Sequence, residues 1–148
     1  MVSVADLNRL VLRHFADNWV FCPILWEMQN AHEDIDKTLT NADPQIIASP
    51  NIEILSVVPM EIPVTLGMKK ADFVLNVLLA EPEGRGNKNT LEAIDLLNTI
   101  YSSKLLRLAK DGTNNHVTLD FGEVELGNSE LIQGKYLSMA VISCISFF

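Results

Sequence analysis

FVLNVLLAEPEGRGNKNTLEAI, Phe73 to Ile94, holds in one stretch the features that decide how this chain folds. Phe73 to Ala80 is almost continuously apolar and too short for a helix of its own, which predicts a strand covered on both faces or one at the centre of a sheet. Glu81 to Asn89 is polar, with Gly84 and Gly86 on either side of Arg85. From Thr90 the apolar spacing changes from two to three and four: Ile94, Leu97, Tyr101, Leu105 and Leu108 make one stripe, widened by Leu91, Ala93 and Ile100. That spacing predicts a helix over Thr90 to Leu108, opened by Asn89 as cap with Glu92 at the third helical position.

Outward from this strand–loop–helix unit, the chain is sheet-rich. Ile52 to Leu66 reads as a strand with Pro59 and Pro63 at an edge, turning at Gly67 to Lys70 into the apolar strand to make a long hairpin. Asp111 to Asn115 is a dense turn signal. Val117 to Leu126 alternates until Gly122, where the phase slips by one residue, the mark of a β-bulge. After a turn region at Gly127 to Gly134, Lys135 to Phe148 forms a long last strand. On the N-terminal side, residues 3 to 16 form a helix capped by Ser3 with Asp6 closing the box, its face carrying Val4, Leu7, Val11 and Phe15. Trp19 to Glu27 reads as a strand in which Pro23 marks an edge or a bulge. Residues 28 to 51 are polar, acidic at the centre and broken by Asp43-Pro44 and Ser49-Pro50, so residues 31–51 are expected to be a loop insertion. The expectation is one α+β domain over 1–148: a mostly antiparallel sheet of about five strands with two main helices packed on it.

The chain has 148 residues, enough for a real core, and 48% of them are hydrophobic, which argues for a globular protein. With 19 acidic and 11 basic residues it carries a net charge of −8, which works against tight binding to nucleic acid phosphates but not against DNA passing by. The apolar runs are shorter than a membrane span, and the N-terminus has no signal-peptide pattern, so the expectation is a protein made and kept inside the cell. Cys22 and Cys144 lack the spacing of a redox or zinc site and are expected to be buried small hydrophobes.

The motifs of chemistry fail one by one. A P-loop needs G-x-x-x-x-G-K-[ST]; here the glycines are two apart and Lys88 is followed by Asn89. A dinucleotide fingerprint needs a third glycine where Asn89 stands. A helix N-terminus can hold an anion, but Glu81 and Glu83 oppose one. In HEDID, His32 to Asp36, an aspartate replaces the second zincin histidine. As a calcium loop the same stretch has Leu39 for the required glycine and Gln45 for the bidentate glutamate. Glu33, Asp34 and Asp36 remain as candidates for a divalent-cation site, with a solvated acidic segment the plainer reading. There is no G-x-S-x-G, and Asp120 with Glu123 beside the bulge is an ordinary pair of strand acids. No residue argues for catalysis, and no cofactor or catalytic residue is assigned.

Three segments, taken together, resemble the tail terminator family of long-tailed phages and prophages. The first is the opening helix followed by Pro23-Ile24-Leu25-Trp26-Glu27 and then Asn30, similar to the family's P-I-x-W-E-N-like strand. The second is Leu66-Gly67, the basic turn Lys69-Lys70, the strand Phe73 to Ala80, the connector Pro82-Glu83-Gly84-Arg85-Gly86 and a helix. The third is the terminal pair of strands. The likeness covers most of the chain, although the family has a short proline-bearing link where this sequence runs on to about Asn51. The resemblance implies a structural virion protein at the head-proximal end of the tail, made in the host cytoplasm. It implies a homo-oligomeric ring, usually a hexamer, that caps the tail tube, stops its polymerisation and offers the surface for head–tail joining. The partners implied are further copies of the chain, the tail tube protein and a head-completion or connector protein, with DNA only passing through the lumen and no membrane. A divalent cation such as magnesium is admitted only as an aid to assembly. Lys69, Lys70, Arg85, Lys88, Asp120 and Glu123 are the candidate subunit-interface residues. Two alternatives stand beside this reading: a head-closure or other minor tail protein of similar fold, and a small cytosolic anion- or nucleotide-binding domain or enzyme using the 84–90 loop.

Overall fold

The computed structural model describes residues 2–26, 31–60, 68–84, 87–110 and 115–148, with side chains outside the description at 31–34. Helix α1, Val4–Asn18, begins as its sequence demands: the Asp6 amide donates to Ser3 Oγ (3.0 Å), and the Ser3 amide donates to the Asp6 carboxylate (2.9 Å). Leu7, Leu10, Val11 and Phe15 are buried, while Val4, the first residue of the helix, is exposed. The helix ends at Trp19, whose amide bonds the Phe15 carbonyl.

The next stretch corrects the expectation of a strand at Trp19 to Glu27. Its described residues, to Trp26, form only a parallel bridge between Ile24 and Ala48. The Ala48 amide donates to the Pro23 carbonyl (3.0 Å), and the Leu25 amide to the Ala48 carbonyl (2.9 Å). Of the apolar side chains that suggested a strand, Trp19 and Cys22 are buried for another purpose, while Val20 and Trp26 are exposed. Trp19 stacks on Phe15 and donates its indole N–H to Cys22 Sγ (3.3 Å), pinning the chain beside the sheet.

Residues 31–51 are not a loop insertion. They form α2, Ala31–Asn41, then a turn containing a cis Asp43–Pro44 peptide, then the first residues of β1, Ile47–Pro59. Ile35 and Leu39, one helical turn apart, are buried and meet Ile47 and Ala80 in a small apolar cluster of their own. Two apolar residues sufficed to seat this helix, too thin a stripe to stand out in so polar a sequence.

Strands β2, Lys69–Pro82, β3, Leu105–Ala109, β4, His116–Leu126, β5, Glu130–Ile132, and β6, Lys135–Phe147, complete the sheet. Its order is β1-β2-β6-β4-β3, every ladder is antiparallel, and β5 pairs β6 off this path. The α+β class and the antiparallel sheet are as expected, with six strands rather than about five and three helices rather than two among the described residues. The β1–β2 hairpin is present, and β2 lies inside the sheet between β1 and β6. Only one face of β2 is fully buried: Ala71, Phe73, Leu75, Val77 and Leu79 point to α1 and α3, while Val74 and Leu78 on the other face are half-buried.

Helix α3, Lys88–Tyr101, is shorter than its apolar stripe suggested. Ser103 takes a left-handed conformation (φ 53°), and Leu105 to Ala109 leaves as β3. LLRLA fits both periods. Paired with β4, it turns Leu106 and Leu108 inward against the core, which the end of an isolated helix could not do as well. The phase slip at Gly122 is a real irregularity: the β4–β6 register shifts between Phe121 and Val124. Strand β5 lies in the stretch read as turn, joined to β6 through Gln133 (φ 50°) and Gly134 (φ 78°), the two left-handed residues of a tight hairpin turn. Among the described residues, no helix is long and apolar enough to cross a membrane.

Candidate functional site

The sheet has one face under α1 and α3, and α2 covers only the end of the other, at Ile47 and Ala80. No other described element covers the remainder of that second face, and the strand register sets its side chains in rows. One row runs Leu105, Asp120, Ile145, Asp72, Ser56 across five strands. The next runs Arg107, Thr118, Phe147, Lys70, Val58. Ile145, 39% exposed, therefore sits between two carboxylates, and a basic residue stands on either side of Phe147 in the row beyond. A shallow groove of about 400 Å³ opens here, lined by Leu55, Lys70, Asp72, Asp120, Gly122 and Ile145 among others. Ser56 Oγ donates to one Asp72 oxygen (3.2 Å), and the other oxygen is buried without a partner.

Cys144 lies at the floor of the groove, and burial drives its thiol pKa far up, with the Asp120 and Asp72 charges adding to the rise. Cys22 is pushed up to about 11, also by burial, so both thiols stay protonated and inert near neutral pH.

Of the candidate interface residues, the register brings Lys70 and Asp120 into this one groove, while Glu123 is exposed at the bulge. Lys69 is elsewhere: its backbone exchanges hydrogen bonds with Phe148, and its ammonium lies 6.0 Å from the centre of the Phe148 ring. Lys88 pairs with Glu92 one turn along α3 (3.7 Å). Arg85 lies outside the described residues.

The cation candidates divide in the same way. Asp36 projects from α2 and accepts from the Lys135 ammonium (2.8 Å), a buried lysine on β6 that already supplies the positive charge. The side chains of Glu33 and Asp34 lie outside the description. Among the described residues, no group of three or more His, Cys, Asp or Glu side chains gathers to hold a metal.

At the start of α3 the structure corrects the expected cap. The helix is entered through Asn87, whose side chain makes no cap bond, and Asn89 lies inside the first turn. The free amide at Thr90 donates instead to the Glu81 carboxylate (3.3 Å), and Thr90 Oγ donates to the same oxygen. Glu81 is buried, 1% exposed, at the end of β2. The positive end of the helix dipole is thus occupied by the chain's own anion. A cavity of about 470 Å³ adjoins it, lined by Gly84, Asn87, Thr90, Ser129, Tyr136 and Ser138. A phosphate entering there would meet a carboxylate where it needs donors. Sequence reading counted Glu81 as a local repulsion and missed its role. The signal was available as an acid nine residues before Thr90, but only the turn at Gly84 (φ 87°) brings the two together.

No protein-family model matches the chain, and no curated protein matches it in sequence. One solved structure, of a protein described only by a sequence identifier, aligns with a TM-score of 0.56 at 12% identity, over 93% of this chain and 94% of its own. At that identity the likeness is one of fold: the arrangement of helices and sheet described above is shared, end to end, by a protein of nearly the same extent.

Proposed function

We propose that this chain is a non-catalytic structural protein of a phage virion, which assembles as a ring, usually six-membered in the family it resembles, on the last ring of the tail tube. The ring ends polymerisation of the tube and presents the surface to which the head connector joins. The observation that carries this reading is the open half of the sheet. A subunit that works alone has reason to cover such a face; here Leu55, Val58, Leu105 and Ile145 stay exposed among charged neighbours. Exposed Glu53, Asp120, Glu123 and Glu125 give the region the negative sign that a DNA passage needs if phosphates are to slide by without sticking.

The alternative of an anion- or nucleotide-binding domain loses its best site, because Glu81 fills the helix terminus that would hold the phosphate. A head-closure protein of similar fold would share the same surfaces and differ in its partner.

The test is mass in solution at high protein concentration, with and without magnesium, followed by addition to polymerising tail tube protein from the same source. A closed oligomer that shortens the tubes in proportion to its amount supports the reading. A chain that remains monomeric throughout and leaves tube length unchanged overturns it.

A further inference from the structure

Resting on the ring reading, we propose that neighbouring copies join by strand addition, the edge of β3 in one copy pairing in parallel with the edge of β1 in the next, both edges being without a strand partner among the described residues. The two edges are suited to each other in several independent ways.

The first is direction. The path β1-β2-β6-β4-β3 has five strands with antiparallel neighbours, so β1 and β3 run the same way. Copies related by rotation about an axis along the strands keep that direction, so β3 meets the next β1 in parallel, by a heterologous contact that can close. Pairing of β1 with β1, or of β3 with β3, would need a two-fold axis and would stop at a dimer.

The second is length. The Ala48 amide and carbonyl face outward, to Pro23 and Leu25, so by alternation Pro50 also faces outward. The Met60 amide faces inward to the Met68 carbonyl, so Pro59 faces outward too. The two prolines sit where a missing N–H costs the β1–β2 ladder nothing, and they bracket a window, 51–58, that presents outward amides from Ile52, Ile54 and Val57. On β3 the Lys104 carbonyl and the Lys110 amide face inward to β4 and its turn, which leaves the amides of Leu105, Arg107 and Ala109 outward. A five-residue strand with three outward amides meets a window of matching reach, and the prolines exclude longer or slipped pairings.

The third is charge. In a chain of net charge −8, residues 104–110 carry no acid and offer Lys104 and Arg107, with Lys110 already paired to Asp6 (3.0 Å). The sole charged residue of β1 is Glu53, exposed on the open face as Arg107 is. Setting Arg107 beside Glu53 places Ala109 beside Leu55 and keeps the open faces of both copies on one side. That register is displaced from the existing row, in which Arg107 lines up with Val58, by the step from Lys70 to Val74 along β2. An offset between the first and last strands is what a sheet must have to close on itself.

The test uses single-cysteine variants at exposed positions, against the buried background of Cys22 and Cys144. Glu53→Cys and Arg107→Cys proteins, each checked for folding, are treated with a short bismaleimide alone and after mixing and reassembly. Cross-linked dimer is expected in the mixture and absent from either variant alone. Separately, Arg107→Glu and Glu53→Arg should each lose the oligomer, and the double variant should regain it. A closed oligomer that gives no cross-link in the mixture overturns the edge pairing and leaves the ring reading standing. A cross-link within Glu53→Cys alone replaces it with a two-fold β1 contact and overturns it equally. A wild-type chain that stays monomeric overturns the ring and this inference together.

Discussion

The two faces of the sheet are built from the same strands, residue by alternate residue, and they have opposite purposes. Under α1 and α3, Phe73, Phe121, Tyr101 and Phe15 are almost wholly buried and meet ring to ring: Phe73 edge-on to Phe121 at 6.2 Å, Tyr101 tilted over Phe121 at 4.9 Å. On the other face the side chains at the same level are Asp72, Ile145 and Asp120, with solvent above them. The first face carries the packed core, and the second carries exposed charge and scattered apolar side chains. A strand with period two can carry both messages, because a side chain on one face does not compete with its neighbour on the other.

The largest effect expected from this division is at Phe121. Replacing it with alanine removes a ring that two other rings touch, at a cost of about 3–5 kcal/mol, read by urea or thermal unfolding. Next is Glu81→Ala, which leaves the Thr90 amide and hydroxyl without their acceptor. A loss of about 1–3 kcal/mol is expected, and added phosphate should raise the melting temperature of the variant while leaving the wild type unmoved. If phosphate stabilises both equally, Glu81 does not fill the helix terminus in solution.

Ile145→Ser should sharpen the contrast from the open side. Its stability change is expected within about 0.5 kcal/mol, with the oligomer unmoved by sedimentation, since β6 is the central strand, away from the two edges proposed to join. An unfolding penalty as large as that of Phe121→Ala would erase the distinction between the faces.

The smallest effect lies beneath the covered face, at His14. Burial beside Tyr101 pulls its pKa below the usual 6.5, against a weaker opposing pull from Asp17. The unfolded chain therefore takes up a proton first as pH falls through 6.5. This part of the stability is fully present above that pH and is lost down to the folded-state pKa. His14→Gln should flatten the stability–pH curve in that window without moving the acid end. There Asp6 contributes separately: the Ser3 amide first, then Lys110, holds its carboxyl well below the usual range.

Much of the fold was legible because it depends on local rules. The capping box at Ser3 and Asp6, the hairpin of β1 and β2, and the bulge at Gly122 each follow from a residue type at a fixed spacing. The errors fall where a local pattern served two structures equally. Leu105 and Leu108 continue a helical stripe and also fit a strand of period two, and pairing with β4 decided between them. Trp19 to Trp26 has the composition of a strand but is used to cover an edge. Ile35 and Leu39 make a helix only because Ile47 and Ala80 are there to receive them.

The candidate site was less legible than the fold. Lys70 and Asp120 could be named as polar residues on strands, yet nothing along the chain says that both line one groove; the registers of β2 and β4 against β6 decide that. Asp36 looked like a ligand among acids until a buried lysine, 99 residues away, took its carboxylate. The sequence alone determined the α+β class, the antiparallel hairpin, the bulge and the acidic sign of the surface, since periodicity, turn chemistry and charge are properties of neighbours in the chain. Only the tertiary structure decided which half of the sheet stays open, which edges stay free and which anion occupies the end of α3. Each of those depends on groups far apart in sequence and adjacent in space, where the nearest partner, not the nearest neighbour, satisfies a donor or covers a face.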